Sequence, residues 1–119
     1  MFKTIYKNIL HWREKLYYTY MIRCSDNSIY TGMTSNLEKR VEEHLTKSKN
    51  GAKYTKSHNA VKLEIAWKSK NKSLACKLEY YLKKLTKCQK EKLIDGEKLS
   101  SYLKGKIDSR RYRKVEISK

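Results

Sequence analysis

The sequence predicts a small α/β (α+β) domain: a sheet of three short strands, mixed or antiparallel, flanked by helices. Three observations carry this expectation. Two strand-length runs, 17–23 (YYTYMIR) and 28–32 (SIYTG), are joined by the turn residues Ser25, Asp26 and Asn27. A third run, 61–67 (VKLEIAW), alternates in polarity as a half-buried strand does. The stretches 36–46 and 73–86 instead repeat their apolar residues at helical spacing.

Taken in order, residues 2–16 place Phe2, Ile5, Tyr6, Ile9, Leu10 and Leu16 near helical spacing, which predicts an amphipathic helix. Residues 17–23 are apolar on both parities, as in a strand covered on both faces. With 28–32 they form a hairpin. Ser35 precedes Glu38 by three residues and reads as a capping box that starts the helix at 36–46. Residues 47–59 (KSKNGAKYTKSHN) read as a polar, basic loop. The helix at 73–86 carries Leu74, Leu78, Tyr81, Leu82 and Leu85 on one stripe, and a short helix is expected at 88–94. The chain then ends in a basic tail. The expected organisation is a helical extension at 1–16, a domain at 17–94 and a basic extension at 95–119.

Composition narrows the function. The 119 residues suit one domain. Lys and Arg number 29 against 12 Asp and Glu, a formal charge of +17, which suits a polyanionic partner. The 23 Lys, 6 Arg and absent Pro fit a coding bias, but such a bias does not explain so few acidic residues. No run approaches the roughly 18 apolar residues of a membrane span, and no signal-peptide pattern opens the chain. The three cysteines, Cys24, Cys76 and Cys88, lack Cys-x-x-Cys spacing, which disfavours a disulfide scaffold or a structural zinc site. They read as packing residues in a reducing, intracellular and cytoplasmic setting.

Several chemistry-bearing residues recur in a suggestive order. Tyr20 and Tyr30 sit on adjacent strands, Arg40 and His44 share one helix face at i and i+4, and Glu79 lies mid-helix further on. Each alone has an ordinary reading: strand aromatics, a solvated helix face, and a Glu79–Lys83 surface pair. His11 and His58 have no evident partner in the sequence and read as surface residues, while Trp12 and Trp67 read as core.

Together these residues resemble the GIY-YIG endonucleases. Tyr18-Thr19-Tyr20 stands where that family has Gly-Ile-Tyr, and Tyr30-Thr31-Gly32 where it has Tyr-Ile-Gly. Met33-Thr34, the helix with Leu37, Arg40 and His44, and Leu78-Glu79 follow in family order. Gly51-Ala52-Lys53-Tyr54-Thr55 is similar to a hinge segment of the small single-domain members, and Leu82-Lys83-Lys84-Leu85 with Gln89-Lys90-Glu91 to their C-terminal end. The resemblance spans about residues 17–94.

The resemblance implies catalytic roles for Tyr20, Tyr30, Arg40, His44 and Glu79, with Tyr20 beside the attacking water as general base or relay. A tyrosine has an ordinary pKa of about 10, so as a base it needs positive charge nearby. Glu79 suits a single Mg²⁺ (or Mn²⁺) completed by water and phosphate oxygens, and the planar fork of Arg40 suits non-bridging phosphate oxygens. Gly32 would allow a close backbone approach. Lys53, Tyr54 and Lys56 in the loop and Arg110, Arg111 and Arg113 in the tail are the expected nucleic-acid contacts, with Tyr112 available to stack on a base. The expected function is a metal-dependent endonuclease acting on nucleic acid, DNA favoured over RNA. The alternative is a non-catalytic binding module on a degenerate nuclease fold.

Overall fold

The computed structural model describes residues 15–47 and 52–117. The helix expected at 2–16 therefore lies, but for its last two residues, outside the described residues. The elements run β1 (Tyr17–Cys24), β2 (Ile29–Thr34), α1 (Leu37–Leu45), α2 (Lys53–His58), β3 (Ala60–Ser69), α3 (Lys72–Lys83), α4 (Lys87–Ile94), α5 (Ser100–Leu103), a 3₁₀ turn (Ser109–Arg111) and β4 (Arg113–Lys114).

The strands form one antiparallel sheet in the order β2-β1-β3-β4, with four strands rather than the three expected. Alternation along β1 sends its side chains to opposite faces. Met21 joins Ile65, Trp67, Leu78, Leu82 and Leu93 beneath α3 and α4. Tyr20 and Ile22 join Ala66 on the other face, against Leu37 of α1. This is why β1 reads as apolar on both parities. Arg23 reaches from β1 to Glu64 (2.9 Å) and to Glu91 (2.6 Å), which ties α4 to the sheet.

Four local expectations are corrected. Helix α1 starts on Asn36, whose side chain accepts from the Lys39 amide (3.2 Å). The Thr34 hydroxyl takes the Asn36 amide instead, so the cap falls one residue past Ser35. A true capping box joins Thr86 and Gln89 at the start of α4. The basic loop at 47–59 contains the short helix α2, closed by Asn59 in the left-handed region (φ 59°). Residues 95–117 of the basic extension expected at 95–119 are not an appended tail, because Leu99, Leu103, Ile107 and Tyr112 are buried in the same core as Met21 and Leu78. Tyr112 is 7% exposed and its hydroxyl donates to the Leu74 carbonyl (2.7 Å), so no face is left for a base to stack on.

Among the cysteines, Cys24 is buried, Cys76 half-buried and Cys88 exposed. No helix among the described residues is long and apolar enough to cross a membrane.

Candidate active site

Strands β1 and β2 pair so that Tyr20 lies directly opposite Gly32. A Cβ added at Gly32 would sit 2.5 Å from the Tyr20 hydroxyl oxygen and 2.7 Å from its Cζ. The Tyr20 ring therefore folds back across the Gly32 backbone, and only a residue without a side chain leaves it room. Gly32 makes space for a side chain of the protein itself, where the sequence suggested only a close approach of the backbone.

The Tyr20 hydroxyl lies 2.8 Å from His44 Nε2, and His44 Nδ1 lies 2.7 Å from Thr55 Oγ1. All three residues are buried. With the Thr55 hydroxyl donating to the Ala52 carbonyl (3.0 Å), its oxygen is an acceptor toward His44. That arrangement assigns the His44 proton to Nδ1 and leaves Nε2 to accept from the Tyr20 hydroxyl. Short helix α2 places the threonine, and helix α1 places the histidine one turn beyond Arg40.

Electrostatics agree with this direction. Burial, reinforced by the Arg40 charge, pushes His44 down to about 4, so its ring is neutral near pH 7. Burial is also the largest effect on Tyr20 and pushes its hydroxyl well above the ordinary tyrosine range; neighbouring Tyr30 adds to this, and Arg40 beside the hydroxyl opposes it. Arg40 acts in the direction that the sequence expectation requires, but among the chain's own groups burial outweighs it, so the Tyr20 hydroxyl stands as a neutral donor toward His44 Nε2.

Tyr30 fills the space between these groups and the surface. Its ring lies 5.3 Å from that of His44 and 5.7 Å, stacked, from that of Tyr54. Tyr54, 37% exposed, stacks in turn on His58 at 3.9 Å. His58 also meets the Tyr54 carbonyl (2.9 Å), so it has partners that the sequence did not reveal. Lys53 and Lys56 are exposed on the same helix. Arg40 pairs with Glu43 at 3.1 Å.

Glu79 is half-buried on α3, paired with Lys83 at 3.5 Å. Its charge is felt at Tyr20, which places it at the margin of the same site. Among the described residues no three His, Cys, Asp or Glu side chains converge as a metal cage. The donor set fits an ion that takes one carboxylate and completes its shell with water and phosphate oxygens.

Of the expected residues, Tyr20, Tyr30, Arg40, His44 and Tyr54 come together, with Glu79 alongside. Arg110, Arg111 and Arg113 do not join them: they lie about β4, at the sheet edge opposite β2. Thr55 is the site residue that sequence reasoning missed.

Comparison with known proteins yields one family. The model of the GIY-YIG catalytic domain matches residues 16–92. The chain is 48% identical over 103 residues to the UPF0213 protein FN1575 of Fusobacterium nucleatum, covering 87% of this chain and 96% of that relative. It is 45% identical over 82 residues to the UPF0213 protein CPE1444 of Clostridium perfringens, covering 69% and 86% respectively. The solution NMR structure of the UPF0213 protein BH0048 from Bacillus halodurans is 34% identical, spans 67% of this chain and 83% of its own, and aligns with a TM-score of 0.44.

Proposed function

The chain belongs to the GIY-YIG family, and from that premise we propose that it is a divalent-metal-dependent endonuclease, with DNA as its favoured substrate. The observation that carries the reading is the hydrogen-bonded line Tyr20–His44–Thr55, buried and with Arg40 at its head. Hydrolysis of a phosphodiester needs a water stripped of a proton, and charge stabilisation on the phosphorus-bound oxygens.

The line supplies the first need. A water beside Tyr20 gives its proton to the phenol oxygen as the phenol proton passes to His44 Nε2. Both nitrogens of His44 then donate, Nδ1 to Thr55 and Nε2 back to Tyr20, so the imidazolium keeps its partners. The hydroxide forms its bond to phosphorus while the bond to the leaving oxygen breaks; that oxygen keeps the bond's electron pair and takes a proton from solvent water, and His44 afterwards returns its proton through Tyr20 to solvent, which restores the neutral pair. Arg40 is placed to hold non-bridging oxygens through its planar fork. Glu79 would hold Mg²⁺ or Mn²⁺, which when bound neutralises charge on the phosphate. Tyr30 shields the line from bulk water, and Tyr54 with Lys53 and Lys56 lines the approach.

The test is incubation with labelled single-stranded, duplex and flap DNA and with RNA, in Mg²⁺, in Mn²⁺ and in EDTA. Cleavage should need the ion, and Glu79→Gln should abolish cleavage while leaving binding intact. An E79Q variant that cuts at the wild-type rate removes the metal-ligand assignment. Binding without any cleavage leaves the family fold as a non-catalytic module.

A further inference from the structure

The arginines of the C-terminal segment meet other cations where the sequence could not place them. Lys68, Lys70, Arg110, Arg111 and Arg113 line a groove of about 360 Å³ together with Leu16, Ser69 and Leu74. Five of its eight lining residues are cationic and none is acidic. In the β3–β4 pairing, Lys68 sits directly opposite Arg113. Opposed residues on antiparallel strands bring their Cβ atoms within about 5 Å, and like charges there destabilise the pair.

The backbone that holds this arrangement is fixed on both sides. Tyr112, between Arg111 and Arg113, is buried and hydrogen-bonded to the Leu74 carbonyl at 2.7 Å. The Val115 amide bonds the Ala66 carbonyl at 2.8 Å, and Asp108 caps the turn that carries Arg110 and Arg111. The Asp108 carboxylate is also bound to the Arg110 side chain (3.0 Å), one of the five cations. The fold thus holds like charges together on a rigid frame, which an anionic ligand would relieve.

We propose that this groove is a second nucleic-acid site, one that grips the phosphate backbone at the sheet edge opposite the catalytic strand pair. It goes beyond the nuclease reading, because holding a strand here requires no cleavage. Guanidinium forks suit phosphate oxygens in pairs, and a concave groove suits a phosphodiester strand better than a planar lipid surface. Nucleic acid held here and cut at Tyr20 would span the sheet.

The experiment uses the full chain in EDTA, so that cleavage plays no part. Affinity for labelled 20-nucleotide single strands and duplexes is measured over a range of salt for the wild type and for K68Q/R113Q. Each lost phosphate contact removes about 0.7–0.9 from the slope of log affinity against log salt, so the double variant should lose about 1.4–1.8. Its melting temperature should stay level or rise, since a like-charge pair has been removed. A control, K92Q/K104Q, removes the same charge at exposed positions outside the groove. Equal slopes for wild type and K68Q/R113Q would overturn the proposal, and so would an equal loss in the control. Normal oligonucleotide binding with lost binding to phosphatidylglycerol vesicles would overturn it in favour of a membrane site. A protein that never cleaves but shows the expected slopes would leave this proposal standing and remove only the nuclease reading.

Discussion

Replacing Thr55 by valine removes one hydroxyl from a buried site and leaves nearly the same shape. Two partners are lost: the acceptor for His44 Nδ1–H at 2.7 Å, and the donor to the Ala52 carbonyl at 3.0 Å. Leaving a buried polar group unpaired costs about 1–3 kcal/mol. That is the energy holding the proton on Nδ1. Without it the ring can move its proton to Nε2, which reverses the hydrogen bond to Tyr20 and leaves the phenol with no base to receive its proton. At about 1.4 kcal/mol per factor of ten, the cleavage rate at saturating substrate should fall roughly 5- to 150-fold. Thr55→Ser keeps the oxygen and should stay within about threefold of wild type on the same scale.

The assay is single-turnover cleavage near pH 7, paired with ¹⁵N NMR of the His44 ring to read which nitrogen is protonated. A purely structural role for Thr55 would lower stability in both variants without changing the tautomer. A T55V protein that keeps its proton on Nδ1 and cuts at the wild-type rate refutes the assignment of Thr55 as a positioning residue.

Gly32→Ala should push the Tyr20 ring aside, because the new Cβ would sit 2.5 Å from the hydroxyl oxygen. A displacement near 1 Å costs about a hundredfold in rate, so normal cleavage by G32A would show that the placement of the ring is immaterial. Thr31 is 3% exposed and its hydroxyl has no partner among the described residues. Thr31→Val should therefore stabilise the fold by about 1 kcal/mol, read as a higher urea midpoint; a lower midpoint means the hydroxyl is paired. The His44 pKa lies near 4 in the fold, against about 6.5 in the unfolded chain. The unfolded chain binds the extra proton first, so this contribution to stability is complete above about pH 6.5 and is lost as pH falls toward 4. The difference in unfolding free energy between wild type and H44Q should shrink across that window, and parallel pH curves would contradict the buried neutral histidine.

Much of the site was legible because the relevant signals are local. Strand alternation puts Tyr20 on one face of β1, and helical spacing puts Arg40 and His44 on one face of α1. The cap was misread by one residue because Thr34, not Ser35, takes a backbone amide there. Helix α2 was hidden because six residues in a basic run carry no apolar stripe; it is held by tertiary contacts, chiefly buried Thr55 and the stacked ring of Tyr54. Thr55 itself stood in a segment already singled out, but a hydroxyl shows its role only when its donor and acceptor partners are known. The tail was misjudged because its charges dominate the composition, whereas Leu99, Leu103, Ile107 and Tyr112, every four or five residues, belong to the core.

The two basic regions of this chain treat charge in opposite ways, and the difference follows from what each must do. Around Tyr20 the ionisable groups are buried and kept neutral: the phenol is held protonated and the imidazole unprotonated. Only such a pair has a proton to pass and a vacant nitrogen to receive it, and only a buried pair keeps its direction without exchange with bulk water. Charged members, Arg40 and Glu79, sit half-exposed at the margin, where a phosphate or an ion can reach them. Across the β3–β4 pairing, exposed Arg113 is set against half-buried Lys68, an arrangement that costs stability and attracts polyanions. A catalytic site built like that edge would charge its histidine far less readily, because each added cation lowers the affinity of Nε2 for the proton. On the proposed readings, keeping the dense positive charge at the far edge of the sheet would let the chain hold an anionic strand without disabling its base.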